Sequence, residues 1–169
     1  MISRRSILLG AGGAALMLAG CQTDVPLDGS RPLLDVLDSI PDISRMRAAI
    51  RRAGLDEMLA GSGPFTVFAP SNAAWAQAPE AVRNGEPAAI RALIAHGRMR
   101  TPELARRGQQ NIQMVSGLQL RMVGGTADLP RVQALRAGQP QGASASVTRA
   151  NLMASNGVVH IVDAMLLAV

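Results

Sequence analysis

Apolar residues recur first at helical spacing and later at strand spacing. Leu33, Leu34, Leu37 and Ile40 fall on one side of a helix, and Pro41-Asp42 stops it and caps the next. That second helix places Ile43, Met46, Ile50 and Ala53 on one face, with Arg45, Arg47, Arg51 and Arg52 mostly away from it, and Gly54 ends it. A short third turn over residues 55–60 reaches Gly61-Ser62-Gly63-Pro64. Residues 65–69, FTVFA, are aromatic and β-branched between Gly-Pro and Pro70, which predicts a buried strand. Ser71 stands where a helix N-cap would, before Ala73, Ala74 and Trp75. Ile90, Leu93 and Ile94 predict a helix over 87–95, and Thr101-Pro102-Glu103 opens another that Gly108 ends. The period then shifts to two. Strands are predicted over 112–115, 118–123, 131–135, 146–149 and 158–167, with turns at Gly124-Gly125 and over 137–145. Helices lead and strands follow, so the expected class is α+β with a largely antiparallel sheet.

Composition narrows the chemistry. The chain of 169 residues has room for one ordinary domain, and with two Phe, one Trp and no Tyr its core must be built from aliphatics and Met. All 17 basic residues are Arg. The lack of Lys rules out a Walker phosphate loop, a Schiff-base site and a Ser-x-x-Lys acyl enzyme, each of which needs the amine.

The N-terminus has the form of an address. Arg4 and Arg5 precede fourteen uncharged residues rich in Leu, Ala and Gly, and Leu18-Ala19-Gly20-Cys21 closes the segment. A permanent spanning helix needs about 20 apolar residues, more than are present. The segment resembles a twin-arginine export signal running into a lipoprotein cleavage box, with Sec export as the alternative because Ile7 stands where that signal usually has Phe. The resemblance implies cleavage after residue 20, a diacylglycerol on Cys21, a tether over residues 21–31 and a domain over 32–169. Gln22, rather than Asp, after the Cys favours the outer membrane if the host has two. Loss of Arg4 and Arg5 lowers the formal charge from +5 to +3, a mild field. With no aromatic stacking partners beside its Arg pairs, the chain has no nucleic-acid footprint.

Two further stretches carry a family resemblance. GPFTVFAPSN over residues 63–72, with Trp75, resembles the first signature of the fasciclin (FAS1) domain. ASNGVVHIVDAML over residues 154–166 resembles its second, and Ala53-Gly54-Leu55 its link between helices. The resemblance implies a β-sandwich wedge with an N-terminal helical layer, and structural signature positions at Thr66, Phe68, Pro70, Asn72, Asn156, Gly157, His160 and Asp163. Family members carry Tyr-His after the central helix, a motif linked in animal members to integrin adhesion. Ala95-His96 stands there instead, so that recognition does not transfer.

Tested as catalytic groups, these residues fail on spacing. Along an extended strand His160 and Asp163 point to opposite faces, so neither can orient the other, and each is expected to bond backbone groups in a buried sandwich. Asn156-Gly157 reads as a hairpin turn, and Asn72 as a tie between its loop and a neighbouring backbone. His96 and His160 are the chain's two imidazoles, Cys21 is its one thiol, and the Met residues are scattered, so no metal and no cofactor is expected. Arg98-Met99-Arg100, just after His96, combines cations with an apolar side chain at an expected helix-to-helix connection, which makes these four residues the candidate partner contact. The expected function is a non-catalytic binding or adhesion module, held by lipid on the extracytoplasmic face of a bacterial membrane. Its partner would be an envelope protein or polysaccharide. The alternative is a carrier of a small apolar ligand such as a carotenoid.

Overall fold

The structure, a computed structural model, describes residues 28–108, 110–135 and 142–167. The export signal with Arg4 and Arg5, the Cys21 lipidation site and most of the 137–145 turn lie outside the described residues. Helix α1 (Leu33–Asp38) buries Leu33, Val36 and Leu37. After a 3-10 turn (Pro41–Ile43), α2 (Ser44–Arg52) buries Met46, Ala49 and Ile50. It ends in a Schellman motif: Gly54 at φ +65° donates to the Arg51 carbonyl and Leu55 to that of Ile50, each at 3.1 Å. Arg47 departs from its expected outward direction and is 7% exposed. Its Nε meets Asp38 at 2.9 Å and its Nη1 meets Asp56 at 2.5 Å, so the buried charge is held between α1 and α3 (Asp56–Ala60).

Strand β1 (Phe65–Pro70) is buried on both faces, and Ser71 caps α4 (Asn72–Ala76) by accepting from Ala74 N–H at 3.2 Å. Two short helices follow, α5 (Glu80–Arg83) and α6 (Pro87–Arg91). The helix expected over 87–95 stops early, because Ile94–His96 forms β2 and pairs antiparallel with Phe65–Val67. Ladder bonds to β1 outweigh a helical continuation there. Helix α7 (Thr101–Arg107) leads into β3 (Ile112–Gln113), β4 (Gln119–Gly125), β5 (Pro130–Leu135), β6 (Ser144–Ala154) and β7 (Gly157–Val162).

The seven strands run in the order β2-β1-β7-β6-β5-β4-β3. One pair is parallel, β1 with β7, in register from Phe65↔Gly157 to Pro70↔Val162, and the others are antiparallel. The α+β expectation holds. Strand β6 belongs to both halves: Ser144–Ser146 pair with β5, and residues from Val147 onward pair with β7. Two register shifts bend it, and Asn151 sits in the second at φ 57°. An isolated bridge, Ala95↔Met114, and a 2.7 Å bond from Val115 N–H to the Ile94 carbonyl bring the sheet's ends together. The result is a nearly closed wedge whose interior is filled by Phe68, Leu93, Leu120 and Ile161, with α1 laid against β6 and β7.

Other boundaries moved for visible reasons. The last strand ends at Val162 rather than 167, where Asp163 turns to bond Ser146. Gly124 and Gly125 close β4 at a bulge, and the turn lies beyond them, closed by a pair of bonds between Thr126 and Leu129. At the N-terminal side, Asp28 bridges Met153, so the last residues of the expected tether lie against β6.

Candidate functional site

Strand β1 is central, so its side chains meet neighbours on both faces. Thr66 Oγ1 donates to the Gly97 carbonyl at 2.6 Å and accepts from Met99 N–H at 2.9 Å. Phe68 stacks on the His160 ring with centroids 5.6 Å apart, and Pro70 ends the strand beside Val162. Asn72 anchors the helical layer: its Nδ2 donates to the Pro41 carbonyl at 2.9 Å and its Oδ1 accepts from Arg45 N–H at 3.1 Å. One amide therefore serves the first turn of α2, where backbone donors have no helical partner.

Asn156 does the same at the other end of the wedge. Its Oδ1 accepts from Leu33 N–H at the start of α1, and its Nδ2 donates to the Leu59 and Gly61 carbonyls at the end of α3, all at 2.8 Å. The expected Asn-Gly turn is displaced by one residue. The two-residue loop is Ser155-Asn156, neither with positive φ, and Gly157 is already in β7 opposite Phe65. Glycine is needed there for space, since a Cβ would lie 2.6 Å from the Phe65 carbonyl oxygen.

His160 is fully buried. Its Nδ1 accepts from Asn151 N–H at 3.3 Å, which assigns the proton to Nε2, and Nε2 donates to the Met99 carbonyl at 2.8 Å. Burial pushes its pKa down, opposed by the bond to Met99. Asp163 is exposed rather than buried; its Oδ1 accepts from Ser146 N–H at 2.7 Å. Both ring nitrogens of His160 are occupied by backbone, which leaves no free nitrogen for proton transfer.

These bonds converge on the connection from β2 to α7, which is strand-to-helix rather than helix-to-helix. Gly97, Met99 and Thr101 are all clamped, the last by Asn151, whose Oδ1 accepts from Thr101 N–H at 2.9 Å and whose Nδ2 donates to Thr101 Oγ1 at 2.8 Å. Sequence marked Thr101 as a helix start but not Asn151, nor the clamp between them. The available signal was an Asn inside a strand-like run, a residue type that tolerates positive φ. Of the candidate contacts, His96, Arg98 and Arg100 are exposed, but Met99 is 5% exposed and belongs to the core. Arg98 donates to the carbonyls of Ala154 (3.2 Å) and Ser155, and Arg100 pairs with Glu103 at 3.3 Å. Arg100 N–H also donates to Glu103, which holds that carboxyl below its usual range.

Elsewhere, a groove of about 480 Å³ opens beside α5 and α6, lined by Val82, Ala88, Ala89, Ala92, Leu118 and Leu167 among others. Among the described residues no group of three His, Cys, Asp or Glu side chains could hold a metal ion, and no helix is long and apolar enough to cross a membrane.

The Fasciclin domain family model matches residues 41–168, and the chain belongs to that family. Human Stabilin-1 is 31% identical over 84% of this chain, and pig transforming growth factor-beta-induced protein ig-h3 is 29% identical over 72% of it. The chain spans 6% and 17% of those two proteins. Protein sll1483 of Synechocystis is 27% identical over 83% of this chain and 75% of its own length. The fold matches a FAS1 domain pair from the insect cell adhesion molecule Fasciclin I, with a TM-score of 0.57, 22% identity, and coverage of 74% of this chain and 45% of that one.

Proposed function

We propose that the protein is a non-catalytic binding module, anchored through a lipid on Cys21 to the extracytoplasmic face of a bacterial membrane. The observation that carries the binding reading is the use made of the signature polar residues. Thr66, Asn72, Asn156, His160 and Asp163 are all spent on backbone bonds that lock helices and loops to the sheet. What is left outward is a rigid connection presenting His96, Arg98 and Arg100, the arrangement of a contact surface rather than a reaction centre. A named cell adhesion molecule among the fold's relatives agrees with this role. The anchor reading rests on the sequence of residues 4–21. Fractionation of cells expressing Cys21→Ala tests it: the variant accumulates as precursor or leaves the membrane fraction. Processed Ala variant still membrane-bound after a salt wash would refute it.

The groove supports a second reading, carriage of a small apolar ligand, since its volume is in the range of ligand pockets and its lining is mostly aliphatic. Titration with a polyene, followed by absorbance and repeated on Ala89→Trp, separates the two; no spectral change on either protein would remove the carrier reading.

A further inference from the structure

The described chain enters the domain beside the turn between β6 and β7. Asp28 bridges Met153, and the Arg31 carbonyl accepts from Ser155 N–H at 2.8 Å. At the same turn the Arg98 guanidinium donates to the carbonyls of Ala154 and Ser155. His96 is exposed there against the ring of Phe65, 5.8 Å between centroids, and Phe65 is paired with Gly157 just after the turn. Arg31, His96 and Arg98 therefore share one end of the sheet. The opposite end of β1 carries Asn72 with Arg45, a six-residue strand away, or roughly 20 Å.

Carbonyl contacts fix Arg98 without neutralising it. In the same region Arg100 is matched by Glu103, while Asp28, which accepts from the backbone and hydroxyl of Ser30, keeps its negative charge three residues from Arg31. Cys21 is seven residues before Asp28, so even a fully extended connection keeps it within about 25 Å of this end.

We propose that this end of the domain, through Arg31 and Arg98, docks on the surface of an anionic bilayer. The inference rests on the anchor reading above and names the partner of its contact surface. A lipid on Cys21 holds this end near the headgroups, where each cation adds roughly fivefold to partitioning and the Asp28 carboxylate takes away a similar factor, leaving the net gain of about one cation. Neither cation would hold the chain without the anchor.

The test uses the chain from Cys21 onward, which keeps every buried residue of the core between Leu33 and Leu166. Coupling Cys21, the sole cysteine, to a maleimide phospholipid anchors it on vesicles of phosphatidylcholine alone or with about 30% phosphatidylglycerol. Phenylglyoxal then labels arginines, read one by one by mass spectrometry. Arg98 should react several-fold more slowly on the anionic vesicles and Arg45 equally on both, and the difference should vanish in about 0.5 M salt. Arg98→Glu should release the protection of Arg31, and Arg31→Glu that of Arg98. Equal Arg98 labelling on the two vesicles, or protection of Arg45 or Arg121 in its place, would overturn the proposal, as would protection that requires an added envelope protein. Because the anchor is chemical, an unmodified Cys21 in cells would defeat the anchor reading and leave the vesicle result to be judged separately.

Discussion

His160 and Met99 are 61 residues apart, and the imidazole Nε2 donates to the Met99 carbonyl at 2.8 Å inside the wedge. With Nδ1 accepting from Asn151, the ring joins β7, β6 and the β2–α7 connection in its neutral form. Protonation would set an N–H against the Asn151 N–H and place a charge in the core.

That geometry sets a pH dependence. The folded pKa of His160 lies below the ordinary value of 6.5, so between the two values the unfolded chain takes up a proton that the folded chain refuses. Its contribution to stability is complete above about pH 6.5 and falls as the pH drops below it, by up to ~1.4 kcal/mol per pH unit. Thermal unfolding from pH 7.5 down to 5.5 should show the loss in the wild type and a flatter profile in His160→Gln. Equal slopes would mean that another group sets the response.

Asn151 combines a left-handed backbone with two bonds to Thr101. Asn151→Gly keeps the conformation and loses the bonds, at about 1–3 kcal/mol. Asn151→Ala adds about 1–2 kcal/mol of backbone strain. Chemical denaturation should rank wild type above Gly and Gly above Ala; Ala as stable as Gly would show that the bend relaxes.

At the β6–β7 turn two substitutions act by different means. Asn156→Ala deprives Leu33 N–H, Leu59 O and Gly61 O of their shared partner, with about 1–3 kcal/mol expected for each buried group left unpaired. Gly157→Ala instead drives a Cβ into the Phe65 carbonyl and should cost about 1–3 kcal/mol by overpacking. Amide exchange tells them apart: the first should loosen α1 and α3, the second the β1–β7 ladder.

Asp163 braces Ser146 from an exposed position. Water can replace the lost carboxylate, so Asp163→Ala should cost about 1 kcal/mol, less than a buried brace. A loss above about 3 kcal/mol, measured by denaturant unfolding, would contradict this.

The leading helices and β1 were legible because their apolar spacing is local and their ends carry Pro, Ser or Gly. The strand Ile94–His96 was not, since Ile90, Leu93 and Ile94 fit a helical period and the competing ladder with β1 comes from residues 65–67. Strand β6 was read short because Arg149 and Asn151 break alternation at the two register shifts where the strand bends. The burial of Arg47 depends on Asp38 and Asp56, each nine residues away, a spacing that no helical period brings together. The signature residues stood out by type, but their partners did not: nothing in the order of residues puts Met99 against His160.

The parallel ladder of β1 with β7 has a kinetic side. A ribosome that has released residue 150 has already made every helix and both of the first two strands, yet Phe65–Pro70 still lacks one of its two neighbours. Closing that ladder joins segments about ninety positions apart, a slow step for a chain of this size. Until β7 arrives, β1 offers an unpaired apolar edge to any other chain. A nascent chain cut short before Gly157 would therefore keep its helices and lose its solubility.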